Sequence, residues 1–404
     1  MEQELKFHLD KHLPKANALK LRYLRDQVSY LKTLPQHEQK SEEWYAMRLT
    51  MLSASDWGTI LGDNHYAKPD SVLLKKCGEE SYFPQAALKA MAWGNKYEDV
   101  AISIYEHRNS TKVYEFGCIR HPDIDFLGAS PDGITNDGVM LEIKCPTSRK
   151  ITGVPPRYYW CQVQGQLEVC DLDRCDFLEC KLKEYEDEDE YLNDHYNNDK
   201  QLNKFGHEKG VIAAFYIVSQ DKYKYYYSPV NILGQELENW KKWIKEEHEV
   251  KSTNVKERII FYSYDYWYLE EVSCVPIFRN AEWFNDAKFK LEDFWEEVCY
   301  YREMGLEFLK NTLNEEKEEK RKIKEEKKEL KKKEEENKKQ KKIRDFINLS
   351  DVNNKNEDNT KKVSIKDDSS SSDCSTKSKK KKKPRKNESD SDLDISLDSY
   401  TFNS

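Results

Sequence analysis

From Glu315 to Arg344 the chain has 15 Lys or Arg and 10 Asp or Glu. The apolar side chains there are Ile323, Leu330 and Ile343 alone. A segment with so little to bury cannot join a core; it can form only a solvated helix held by Glu/Lys pairs one turn apart. Beyond Asn348 the sequence turns to Ser, Asp, Asn and Lys, a composition that predicts disorder. Folding is thereby confined to residues 1–312, which hold nearly all of the 25 Tyr, 15 Phe and 9 Trp. No apolar run approaches the roughly 18–20 residues that span a bilayer. The opening MEQELKFHLDKH has no signal-like apolar stretch. The 10 Cys stand at irregular spacings, as in a reducing interior. An intracellular protein, neither secreted nor membrane-bound, is expected. The net charge of −8 does not exclude a local basic groove, because nucleic-acid binding depends on where charge sits.

Residues 1–40 read as a charged helical arm. SEEWYAMRL opens on Ser41 followed by acids, an N-cap and first turn. In SASDWGTILG, Ser55 is expected to cap a second short helix ending at Gly62. AALKAMAWGNKYEDVAISIYEHR reads as a long amphipathic helix carrying Trp93, Tyr97, Ile102 and Tyr105. Strand-like runs follow in KVYEFGCIRH, FLGASPDGI and VMLEIKC, the last two joined by the hairpin signal Asn136-Asp137-Gly138. PRYYWCQVQGQLEVC reads as a helix and RCDFLECKLKEY as a strand. The acidic tract of residues 184–199 reads as a solvated loop. GVIAAFYIVSQ and KYKYYYSPV form a second hairpin, and LGQELENWKKWIKEEHEV a helix with Leu237, Trp240, Trp243 and Ile244 on one face. The order implies an α/β (α+β) fold with a mixed sheet flanked by helices.

The chemistry concentrates in GASPDGITNDGVMLEIKCP, residues 128–146. Asp132 ends one expected strand and Glu142 lies on the next. Alternation puts Glu142 and Lys144 on one face and turns Ile143 into the core. Asp132, Glu142 and the Ile143 carbonyl are hard oxygen donors suited to Mg2+ or Mn2+. Lys144 is placed to orient a water or neutralise a phosphate. Read alone, the three charges fit an exposed charge pair beside an Asp equally well.

SPDG followed by LEIKCP resembles the signature of the PD-(D/E)XK nuclease superfamily, and more narrowly its lambda exonuclease and YqaJ-type viral recombinase branch. Further segments match in order over residues 41–185. RLTMLSAS resembles the phosphate-binding segment, which maps to Arg48 and Ser55. AMAWGNKYED resembles the helix with a catalytic Glu, here Glu98, a further candidate metal ligand. YYWCQVQGQLEV resembles the helix bearing a Gln, here Gln162, with Gln164 and Gln166 nearby. The resemblance implies a restriction-endonuclease-like core at residues 41–312; composition alone sets off the charged helix at 313–345 and the low-complexity tail at 346–404. It implies a metal-dependent deoxyribonuclease resecting linear double-stranded DNA from 5′ ends. The partners it implies are a single-strand annealing or recombination protein and a homotrimeric ring. The rivals are a structure-selective or restriction-like endonuclease and a non-catalytic DNA-binding scaffold.

Cys170, Cys175 and Cys180 are spaced by five without a CxxC pair, so free thiols are expected rather than an iron–sulfur cluster. The run Lys379 to Lys386 suits nucleic-acid binding or nuclear import, and equally a plain tail. Ser389 and Ser391 lie beside it as phosphorylation candidates.

Overall fold

A long helix, a tight hairpin and a second helix followed by a parallel strand build the centre of this protein. A computed structural model describes residues 15–80 and 82–357. The chain runs α1 (Lys15–Leu31), α2 (Glu42–Leu49), β1 (Leu52–Ser53), α3 (Ala54–Ile60), α4 (Pro69–Lys76) and α5 (Gln85–Asn109). Then come β2 (Val113–Tyr114), β3 (Ile119–Arg120), β4 (Leu127–Ala129), β5 (Gly133–Thr135), β6 (Val139–Lys144), α6 (Arg157–Cys170) and β7 (Arg174–Glu184). It ends with α7 (Glu188–Asn193), β8 (Lys209–Ile217), β9 (Lys222–Tyr227), α8 (Gly234–His248), β10 (Ile259–Phe278), α9 (Ala281–Met304) and α10 (Leu306–Glu357). The chain divides into two compact units: one reaches Leu306, and the charged helix α10 makes up the described part of the other. The tail run 379–386 and both candidate serines lie outside the described residues.

The larger sheet has the order β2-β5-β6-β7-β10-β8-β9. β5 and β6 form the hairpin read at Asn136–Gly138, and Gly138 takes a φ of +76° that a side chain would strain. β6 and β7 are parallel, joined through α6. Both faces of the centre are covered. Met140, Cys175 and Phe177 pack with Tyr159 and Val163 of α6. Leu141, Ile143 and Leu178 pack with Tyr97, Val100 and Ile104 of α5. This is the mixed α/β sheet flanked by helices that the element order predicts. β1, β4 and β3 form a separate three-stranded sheet, so the run around residues 113–120 is split between two sheets.

Several expectations are corrected. Within the segment read as a peripheral arm or accessory element, α1 buries Val28 and Leu31 in the central core, with Leu24 packed against it at helical spacing. Ser53, not Ser55, is the N-cap of α3, and the Asp56 carboxylate accepts the Ser53 N–H at 3.2 Å. The acidic tract is not all loop. It contains α7, whose Tyr191 is fully buried, while Glu188 binds Lys241 and the Tyr266 hydroxyl. On α8 the buried face is Leu237, Trp240, Lys241 and Ile244, and Trp243 is 52% exposed. The charged helix starts at Leu306 and runs to Glu357, longer at both ends than 313–345.

The 20-residue strand β10 had no counterpart in the sequence reading. It pairs antiparallel with β7 through one half and β8 through the other, with register shifts at Leu269/Glu271 and Phe261/Ser263. It thereby welds the second hairpin to the central sheet. Among the described residues, no helix is long and apolar enough to cross a membrane.

Candidate active site

The polar site begins where β5 stops pairing with β6. Gly133 faces Leu141 as the end pair of that ladder, so Ile143, two residues on, needs another acceptor for its N–H. Asp132, in the bend just before β5, supplies it: its Oδ2 accepts the Ile143 N–H at 2.6 Å. The N–H and C=O of one strand residue project to the same side, so the Ile143 carbonyl also lies on the Asp132 side of β6.

Glu142 is as buried as its neighbour Ile143, so both faces of β6 lie inside the fold here. Its Oε2 accepts from the Gln166 amide of α6 at 2.7 Å, and its Oε1 meets Lys144 Nζ at 2.5 Å. Lys144 also lies 4.8 Å over the ring of the buried Tyr159. Across the parallel register Lys144 stands opposite Glu179, a fully buried carboxylate paired with Arg149 at 2.6 Å. A buried carboxylate is tolerable only with such partners. The strands thus pass from Met140/Cys175, through Glu142/Phe177, to Lys144/Glu179. Their carboxyl ends are polar, the usual place for a site in an open α/β sheet.

Glu98 reaches this region from α5. The Cys145 thiol donates to the carbonyl of Tyr97, the residue before Glu98, at 3.6 Å. Burial, then the charges of Cys180 and Glu98, push that thiol well above its ordinary range, with Lys144 opposing and Asp132 adding. The Glu98 carboxylate itself lies 3.5 Å from Lys40 Nζ.

Arg48 is buried rather than exposed, with its guanidinium 4.3 Å over the Trp44 ring. It donates to Ser55 Oγ at 2.8 Å and Ser130 Oγ at 3.3 Å. Trp44 Nε1 reaches the same Ser130 hydroxyl at 3.2 Å. Ser130 belongs to SPDG, two residues before Asp132, and its carbonyl accepts from Gln166 at 3.3 Å. Arg48, Ser55, Ser130, Gln166 and Glu142 therefore form one connected chain of contacts. Gln162 is buried one turn earlier on the face of α6 that presents Gln166. Gln164 points elsewhere, binding the Phe278 carbonyl and the Asn280 N–H.

Sequence reasoning gave no role to Ser130, Tyr159, Arg149 or Glu179, and named Gln166 only as a neighbour. Ser130 sits inside a quoted motif and Gln166 lies four residues after Gln162, so both had a local signal. Arg149 and Glu179 lie on separate elements and had none.

Among the described residues, no three His, Cys, Asp or Glu side chains gather into a metal-holding group. The chemistry of the donor set nevertheless fits a hard divalent cation: the Asp132 and Glu142 carboxylates and the Ile143 carbonyl are all oxygen donors. Cys170, Cys175 and Cys180 are free thiols buried in the apolar core, each with its pKa raised, burial being the largest cause.

Fold and site together give a helix-flanked mixed sheet with two carboxylates, Asp132 and Glu142, at one strand end. Residues 43–173 match the family described as the YqaJ-like viral recombinase domain. The chain is 33% identical over 307 residues to an uncharacterized protein of Acanthamoeba polyphaga mimivirus, covering 68% of this chain and 55% of that one. It is 30% identical over 173 residues to a protein of African swine fever virus, covering 35% of this chain and 48% of the other. The chain spans about half the length of these curated relatives. Among solved structures it is similar to an alkaline exonuclease from Laribacter hongkongensis. There the identity is 19%, the coverage 68% of this chain and 99% of that one, and the TM-score 0.37.

Proposed function

We propose that this chain is a metal-dependent deoxyribonuclease that shortens linear double-stranded DNA from its 5′ ends in viral-type recombination or DNA processing. The observation that carries the reading is the buried Glu142, held between Gln166 and Lys144 at the end of the hairpin that also presents Asp132. A structural ion pair needs no second carboxylate at the same strand end, whereas holding a hard divalent cation for metal-assisted phosphodiester hydrolysis calls for such a pair of oxygen donors. The matching viral recombinase family supports the reading, and the viral origin of the relatives supports its setting.

Asp132, Glu142 and the Ile143 carbonyl would hold the cation, Mg2+ or Mn2+, with Glu98 as a further candidate. When bound, the cation supplies Lewis-acid stabilisation of the phosphate and lowers the pKa of a water. Gln166 fixes the Glu142 carboxylate in one rotamer. Lys144 carries its charge where the attacked phosphate becomes more negative, on a flexible stem that can pass from Glu142 to the substrate. Gln162 is assigned to orienting Lys144 or the phosphate. The planar fork of Arg48, with the Ser55 and Ser130 hydroxyls, suits the three free oxygens of a terminal phosphate. The assembly is proposed to be a homotrimer, with a single-strand annealing protein as partner.

The test is digestion of 5′- and 3′-labelled linear duplex beside closed circular duplex, with and without Mg2+. Release from the 5′ label of linear DNA, only with metal and not by the Asp132→Ala protein, is the expected result. Cleavage of the closed circle would favour an endonuclease. Unchanged activity of Asp132→Ala would sink the catalytic assignment, and DNA binding with no cleavage at all would favour a scaffold.

A further inference from the structure

Lys76, the last residue of α4, is fully buried at its ammonium group, an expensive place for a lone cation. It is not alone. Nζ donates to the Arg48 carbonyl at 2.8 Å and the Met51 carbonyl at 2.6 Å, and pairs with Asp56 Oδ2 at 2.9 Å. All three ammonium protons thus have an acceptor, and the acceptors belong to three pieces of chain. Arg48 lies in the last turn of α2, Met51 leads into β1, and Asp56 lies in the first turn of α3.

The last carbonyls of a helix have no partner within it. In α2 they are taken one by one. Thr50 N–H and hydroxyl donate to Met47, Lys76 to Arg48, and the Arg302 guanidinium of α9 to Leu49 at 2.6 Å. Arg302 also donates to the backbone carbonyl of Lys76 itself, at 2.9 Å. On the α3 side, Asp56 binds the Ser53 N–H as well as Lys76, so the cap of the helix carrying Ser55 hangs on the same ammonium. One buried charge therefore ties the backbone of Arg48 to the start of the helix that holds Ser55.

We infer that Lys76 is the positioning residue for the Arg48–Ser55–Ser130 anion pocket, setting the separation of α2 and α3 so that the pocket fits a terminal phosphate. This rests on the proposed reading that Arg48 grips the phosphate at a DNA end. Lys76 touches neither DNA nor metal and acts only through Arg48 and Asp56.

The experiment compares kcat and KM on two linear duplexes, identical except for a 5′-phosphate or a 5′-hydroxyl at each end. Proteins tested are the full chain, Arg48→Ala, Lys76→Met, and Asp56→Asn/Lys76→Met, which removes both buried charges together. Circular dichroism and thermal unfolding report folding. Lys76→Met is expected to raise KM on the phosphorylated duplex by roughly 10- to 100-fold, the scale of a displaced binding group, and to bring the phosphate/hydroxyl preference close to one. A folded Lys76→Met protein that slows equally on both ends and keeps its preference, while Arg48→Ala loses it, overturns the inference. An Arg48→Ala protein that keeps the preference overturns the reading itself, and the inference with it. If Lys76→Met does not fold, the neutral pair carries the same readout. Failure of both to fold assigns Lys76 to stability alone and overturns the inference.

Discussion

Replacing Glu142 with Gln keeps shape and volume but removes the charge opposite Lys144. Metal affinity and transition-state stabilisation both depend on that charge. The variant is expected to bind duplex DNA normally in a filter assay without metal, while kcat falls by about 10²–10³-fold or more. Loss of binding together with unfolding would instead make Glu142 structural. Asp56 supplies the pH dependence at this scale. Burial works against its charge, but Lys75, Lys76 and Arg48 outweigh burial and hold the carboxyl well below its ordinary range. A depressed carboxyl contributes stability that is present above its unfolded pKa of about 3.9 and is lost as pH falls toward the folded value. Thermal midpoints between pH 3 and 7 should therefore fall more steeply on the acid side for the native chain than for Asp56→Asn/Lys76→Met. Equal slopes would remove Asp56 from the account. Residues inside quoted motifs, Ser130 among them, carry a local signal because each motif is a local pattern. Lys76 and Arg149 carry none, since a buried cation is recognisable only from the acceptors that other elements bring to it.

Between elements, α3 also packs closely against α6. A Cβ on Gly58 would lie 2.8 Å from the Tyr158 backbone, and one on Gly165 would lie 2.8 Å from the Trp57 ring. Backbone cannot yield as a side chain end can, so Gly58→Ala must push the two helices apart. We expect destabilisation of about 1–3 kcal/mol in urea unfolding, with weaker activity because Ser55 and Gln166 ride on those helices. An unchanged midpoint would mean the helices separate without cost. The hairpin and α5 could be read from sequence, since turn chemistry and helical periodicity are both short-range signals. β10 could not. The alternation of Tyr264, Tyr266 and Tyr268 on one face marks only a short strand, whereas the 20-residue length depends on partners β7 and β8 from distant parts of the chain. The Trp243 error has a related cause: a wide aromatic stripe leaves its edge undefined until the covering strands are known.

At the scale of the whole molecule, α10 is almost uniformly exposed from Asn314 to Lys341. Removing residues 315–404 should leave cooperative unfolding intact and move Tm by less than ~2 °C, the scale of surface changes near 0.5 kcal/mol. A larger loss, seen by calorimetry, would show that the charged helix supports the folded unit. The sequence by itself determined that no core could lie in this segment, because burial needs apolar area that it lacks. It also determined that Glu142 and Lys144 would share a face, with Asp132 across a tight turn from them, because a two-residue period and a glycine turn dictate that much. Only the tertiary structure decided that Glu142 is buried against Gln166, that Arg48 is buried against Ser130, and that Lys76 joins them to α4. Those are meetings of elements far apart in the chain, and their energies depend on desolvation, which exists only once the elements have packed.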